Sequence, residues 1–162
     1  MDLAIRVTNW VLGSYFFKDY KAFTHDFLVK FLKSFLNHGR HIMANLENKS
    51  ITNNHYLADL VGLIYLGVSF PEFEEAQRWR ELGLRELVKE MGKQVYDDGM
   101  DFETSTCSHR LALEFFFYPA FLCRLNGIEL PTVFKETLKK MFDFVLYVLK
   151  PLKILISEKY LE

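Results

Sequence analysis

Two stretches of this sequence, 56–70 and 111–125, are apolar in nearly every direction around a helix. In the first, Leu57, Leu60, Val61, Leu63, Ile64, Tyr65, Leu66 and Val68 leave no polar face, and Asp59 is the one charge. A helix of that kind has to be surrounded by protein. Pro71 ends the first run, while Glu114 and Pro119 interrupt the second, where the proline should kink the helix or split it. The stretches on either side have a different character. Across 22–46, Phe23, Phe27, Phe31, Phe35, Ile42 and Leu46 follow the 3.6-residue period with Lys30, Lys33, Asn37 and Arg40 opposite. Residues 73–96 set Trp79, Leu82, Leu87 and Met91 among Glu, Arg and Lys, and after Pro131 a similar face is built from Phe134, Leu138, Met141 and Val145. A further helix is expected over 7–17, and Asp97-Asp98-Gly99 and Asn126-Gly127 read as helix ends.

From 22 onward the order is outer, inner, outer, inner, outer, with no strand signal of comparable strength. Serial hairpins of this type build solenoids or closed (α/α) toroids, in which successive inner helices run parallel and start at one rim. The expected fold is therefore all-α: serial antiparallel helical hairpins forming part of an (α/α) toroid. A length of 162 residues suits one domain.

Composition removes several functions. With 20 Lys plus Arg against 21 Asp plus Glu the formal charge is −1, so no global basic field exists to hold nucleic acid or an anionic bilayer. Both apolar runs are too short to span a bilayer, and no signal peptide is visible, since Arg6, Thr8 and Asn9 interrupt the first stretch. Neither nucleic acid nor membrane insertion is expected. The 16 Phe and 8 Tyr call for a thick core or a large interface. Cys107 and Cys123 flank one helix too long to bridge and read as free thiols. His38 and His41 lack an Asp, Glu or Cys at helical spacing to complete a metal set, and no Gly-rich phosphate loop occurs, so neither metal nor cofactor is expected.

Each apolar run is opened by a short polar cluster, Asn53-Asn54-His55 before the first and Ser108-His109-Arg110 before the second. His55 and His109 lie one helical hairpin apart, which brings both clusters to one rim. Helix N-termini offer unpaired N–H groups and a positive dipole end, and Asn54, His55, His109 and Arg110 add donors. That is a plausible pocket for a carboxylate or a sulfate. Bland alternatives stand beside it: Asn53 or Asn54 as an N-cap, His55 as a surface histidine, Arg110 paired with Glu103 or Glu114. Two clusters at matching positions of a repeat favour a site.

With these residues in view the chain resembles the heparinase II/III-like polysaccharide lyases in their helical toroid domain. The resemblance rests on Ile5-Arg6-Val7 with Asn9-Trp10, on Asn54-His55 leading to Leu60-Val61-Gly62-Leu63, and on Gly67 with Phe70-Pro71-Glu72. Further along it rests on Asp98-Gly99 with Asp101 and Glu103, and on Ser105 with His109-Arg110-Leu111. It implies a toroid domain over 1–150 and β-elimination on an acidic polysaccharide, of heparin, heparan sulfate or alginate type, by proteins that are often periplasmic or secreted. In such lyases an asparagine placed like Asn54 neutralises the uronate carboxylate, which makes the neighbouring C5 proton removable. A tyrosine directly before the histidine of the second cluster usually serves as acid and as base.

This chain has Ser108 at that place, and a hydroxyl has neither the reach nor the acidity of a phenol. Tyr56, Tyr65 or His109 would have to substitute. The expected assignment is Asn54, His109 and the Ser108 position for chemistry, with Asn53, His55 and Arg110 for substrate. Nothing in 151–162 resembles the family's continuation or its β-sandwich domain, so the chain is expected to be a fragment or a reduced copy, inactive alone. The alternative is a non-catalytic helical domain that binds acidic glycan or protein. An opened toroid would also expose apolar helix flanks and invite self-association.

Overall fold

The computed structural model describes residues 1–48 and 53–148. Six helices follow one another: α1 (Asp2–Phe17), α2 (His25–Ala44), α3 (Asn54–Ser69), α4 (Ala76–Gln94), α5 (Thr106–Leu125) and α6 (Thr132–Val148). Among the described residues strand pairing is limited to one isolated bridge, Val95 with Asp101. Ser50 and Thr52 of the polar link, and the expected boundary at 150, lie outside the described residues.

The central element is α3, which packs against α1, α2, α4 and α5. Fourteen of its 16 residues are buried, as an all-round apolar helix requires. Its close neighbours are set by small residues. A side chain at Gly67 would stand 2.5 Å from the Ala76 carbonyl oxygen and 2.7 Å from the Arg80 nitrogen, so the start of α4 lies directly on the α3 backbone. Aromatic rings join the layers: Phe35 of α2 meets Phe70 at 4.8 Å, Phe70 meets Phe73 at 5.3 Å, and Phe73 reaches Trp79 of α4 at 6.3 Å.

Helices α1, α3 and α5 run side by side and parallel. They share one groove in which Ile5, Ala58 and Leu111 stand toward the helix starts and Leu12, Tyr65 and Tyr118 toward the ends. The three N-termini therefore share one rim. Helix α1 is an inner helix too, and it begins at Asp2 rather than at residue 7, because the Met1 carbonyl accepts from the Ala4 and Ile5 amides and Asp2 complements the dipole of the first turn.

For the second apolar run, one of the two outcomes expected at Pro119 is excluded and the all-round burial is corrected. Pro119 does not split α5, which is continuous from Thr106 to Leu125. Nor is α5 enclosed: Leu111, Tyr118, Phe121 and Leu125 are exposed while His109, Ala112, Leu113, Phe116, Pro119 and Cys123 are buried. An inner helix needs an inner neighbour on each flank, and among the described residues α5 has α3 on one flank alone. Cys107 and Cys123 are free thiols; burial pushes Cys123 up to about 11.

Candidate functional site

The start of α3 divides its asparagines by role. Asn53 is the N-cap: its backbone is extended, its side-chain oxygen accepts the His55 amide at 3.0 Å, and its carbonyl takes the Tyr56 and Leu57 amides. Asn54 is the first helical residue and is 9% exposed. Its Nδ2 donates to Glu103 Oε2 at 3.3 Å, and its buried Oδ1 has no partner among the described residues. The reverse amide orientation would set an oxygen against a carboxylate. His55 points elsewhere. Its Nδ1 lies 2.9 Å from Glu47 Oε2, and Glu47 also pairs with the Met1 amine at 2.9 Å. The hydrogen bond from that amine, with a second from His55, holds the Glu47 carboxyl below its usual range.

At the start of α5 the N-cap is Ser105, whose hydroxyl accepts the Ser108 amide at 3.5 Å. Ser108 is half-buried and Arg110 is exposed. Arg110 forms no ion pair with Glu103 or Glu114 among the described residues. His109 is 1% exposed and turned into the core. Its Nδ1 accepts the Asp101 amide at 3.2 Å, and its Nε2 lies 3.1 Å from the Met141 carbonyl oxygen, to which it donates. Phe144 meets the ring edge-on at 4.9 Å. Both nitrogens are thus committed to structure, and His109 presents no lone pair to the rim.

Through that ring the core organises the loop before α5. Asp101 is fully buried, its Oδ2 accepts the Glu103 amide at 3.1 Å, and its Oδ1 is without a partner among the described residues. Burial pushes its carboxyl above the usual aspartate range. Thr104 follows at φ 51°, a left-handed conformation uncommon for a β-branched residue. The result is that Glu103 is presented toward Asn54, and this one hydrogen bond ties the start of α3 to the loop before α5 without bringing Ser108, His109 or Arg110 to Asn54. Sequence reasoning considered Glu103 as a partner for Arg110 and missed Asn54. Spacing does announce the inward turn of His109: His109, Ala112, Leu113 and Phe116 fall at i, i+3, i+4 and i+7, one helix face.

The two phenols that could stand in at Ser108 are enclosed. Tyr56 is 2% and Tyr65 3% exposed, and burial is the main cause that pushes each up to about 12. Among the described residues no group of three His, Cys, Asp or Glu is placed to hold a metal ion, and no helix is long and apolar enough to cross a membrane.

The family model described as "Heparinase II/III N-terminus" matches residues 1–155. The chain belongs to the heparinase II/III family. A "Heparin-sulfate lyase" of Bacteroides stercoris is 35% identical over 125 residues, 76% of this chain and 18% of that protein. The "Heparin-sulfate lyase" of Pedobacter heparinus is 32% identical over 132 residues, 80% of this chain and 20% of that protein. Among solved structures, "Heparinase III" superposes with a TM-score of 0.82 at 26% identity, over 92% of this chain and 23% of the other. The heparan sulfate lyase HepC from Pedobacter heparinus gives 0.74 at 30%, over 90% and 23%. This heparinase II/III chain therefore spans about a fifth of the length of its curated relatives, and its hairpins are a segment of their helical toroid.

Proposed function

We propose that this chain supplies the N-terminal helical part of a polysaccharide lyase of the heparin or heparan sulfate kind, and that its rim binds a uronate-containing glycan through Asn54. In β-elimination the C5 proton beside a uronate carboxylate leaves only when that carboxylate's charge is stabilised as the carbanion forms. A buried amide donor at a helix start does this well, because its dipole is already oriented and little solvent competes. The observation that carries the reading is that Asn54 Nδ2 already faces a carboxylate, that of Glu103, on the loop leading to the second cluster. Arg110, exposed at the start of the second turn of α5, adds a cation near the same rim.

Proton transfer is a separate matter. Ser108 is a weak acid, both nitrogens of His109 are engaged, and the phenols of Tyr56 and Tyr65 are buried. The isolated chain is therefore expected to bind acidic glycan without cleaving it, which favours the non-catalytic binding reading for the 162 residues alone. His109 in this reading positions the Glu103 loop and does not serve as base.

An ultraviolet assay for unsaturated uronate, run on heparin, heparan sulfate, hyaluronan and alginate, tests this: product from any of them would overturn the expected inactivity. Binding is tested by titration with the same glycans. Asn54→Ala and Arg110→Ala should each weaken it, and unchanged affinity in both would remove the rim site. We further propose self-association through exposed apolar side chains such as Phe16, at 84% exposure, and Tyr118, at 47%. Light scattering that shows a monomer across the concentration range would overturn it.

A further inference from the structure

The geometry points to Glu103 as a built-in stand-in for the substrate carboxylate, held against Asn54 until an acidic glycan displaces it. This rests on the reading of Asn54 as the uronate-binding group. Four observations carry it. Asn54 is nine-tenths buried, which leaves its amide little room to turn to another acceptor, and its oxygen has no partner among the described residues. Its donor meets a carboxylate, the same chemical group a uronate would bring. That carboxylate belongs to an exposed side chain whose one hydrogen bond among the described residues is the one to Asn54, at 3.3 Å, longer than a charge-assisted bond usually is. The backbone beneath it is held by the Asp101 carboxylate and by the strained Thr104 at φ 51°, so the loop spends energy to put Glu103 there.

The consequence is competition. A uronate oxygen within hydrogen-bond distance of Asn54 Nδ2 would come close to the oxygens of Glu103, and two carboxylates sharing one donor repel. Glu103 therefore has to swing out into solvent, where its charge is hydrated at little cost. While in place it keeps a buried donor satisfied. Once displaced it sets a threshold that a ligand passes only with an anion of its own. Neutral sugars gain nothing from displacing it, so Glu103 acts as a selectivity residue for acidic glycan.

The test is calorimetric titration of the full chain with a fully desulfated, N-acetylated heparan sulfate oligosaccharide, whose only anions are its uronates, and with the same oligosaccharide after carboxyl reduction, using Glu103→Gln, Asn54→Ala and the double variant. Glu103→Gln is expected to bind the acidic oligosaccharide roughly three- to fivefold more tightly, the size of one exposed charge interaction. The gain should vanish in the double variant, and the reduced oligosaccharide should show no gain. Glu103→Ala serves as a second variant, and an unchanged circular-dichroism melt shows that either one is folded. If Glu103→Gln binds equally or more weakly while Asn54→Ala still weakens binding, the stand-in is overturned and the Asn54 site survives. If Asn54→Ala leaves binding unchanged, the site reading fails and the stand-in fails with it.

Discussion

Replacing His109 by Phe removes the ring's hydrogen bonds at the point where the core meets the rim. Phenylalanine keeps the aromatic contact with Phe144 and leaves no cavity, and because its ring is the larger one the hydrogen-bond losses are a lower bound on the cost. It removes two hydrogen bonds. The Asp101 amide loses its acceptor in a fully buried setting, which costs about 1–3 kcal/mol. The Met141 carbonyl lies within α6, where the helix supplies its other partner, so its loss is nearer an ordinary hydrogen bond, about 0.5–1.5 kcal/mol. Together the two give roughly 1.5–4.5 kcal/mol, and in a domain of this size a melting temperature lower by roughly 3–18 °C. Urea unfolding followed by circular dichroism checks the figure: the midpoint should fall while the m-value stays the same. A midpoint within error of the parent would mean that the ring is not bonded at both nitrogens and that the Glu103 loop is held by something else.

Three further outcomes follow from other contacts. Gly67→Ala drives a methyl into the backbone of α4 and should cost more than about 1–3 kcal/mol, since neither the Ala76 carbonyl nor the Arg80 amide can rotate aside. Gly92→Ala, exposed and with open space at its Cβ, should gain roughly 0.5–1 kcal/mol; a loss in melting temperature there would contradict the assigned course of α4. Asp101 carries a pH signature. Burial raises its folded-state pKa above the ordinary 3.8, so the folded chain holds that proton more tightly, and the associated stability is present below 3.8 and lost as pH rises through the raised value. Asp101→Asn should remove this part of the pH dependence in a series of urea melts. A variant profile that parallels the parent over that window would count against a carboxyl buried without a second partner.

Local chemistry made much of the rim readable. The polar cluster before α3 contains a cap, but sequence left Asn53 and Asn54 interchangeable, since both are good capping residues; the extended backbone at Asn53 decides which one caps and which is free. At α5 the helix starts at Thr106, five residues before the apolar run, because Ser105 caps a first turn that, apart from His109, has no aliphatic or aromatic side chain to mark it. His109 was legible as an inward residue from its spacing with Ala112, Leu113 and Phe116. Its histidine chemistry instead drew attention to the rim. The all-round apolar pattern was correct for α3 and misleading for α5, because a pattern reports what a helix is suited to and the neighbours present determine what is covered.

Sequence by itself determined the helices, their alternation of inner and outer faces and their common rim, all of which follow from a 3.6-residue period and from capping residues close in the chain. Tertiary structure alone decided which side chains meet there. The Asn54 bond to Glu103 spans 49 residues and the His109 bond to Met141 spans 32, and neither leaves a trace in local periodicity. They exist because the parallel packing of α3 with α5 brings a buried amide to a loop pinned by a buried imidazole. Only the folded chain sets that distance.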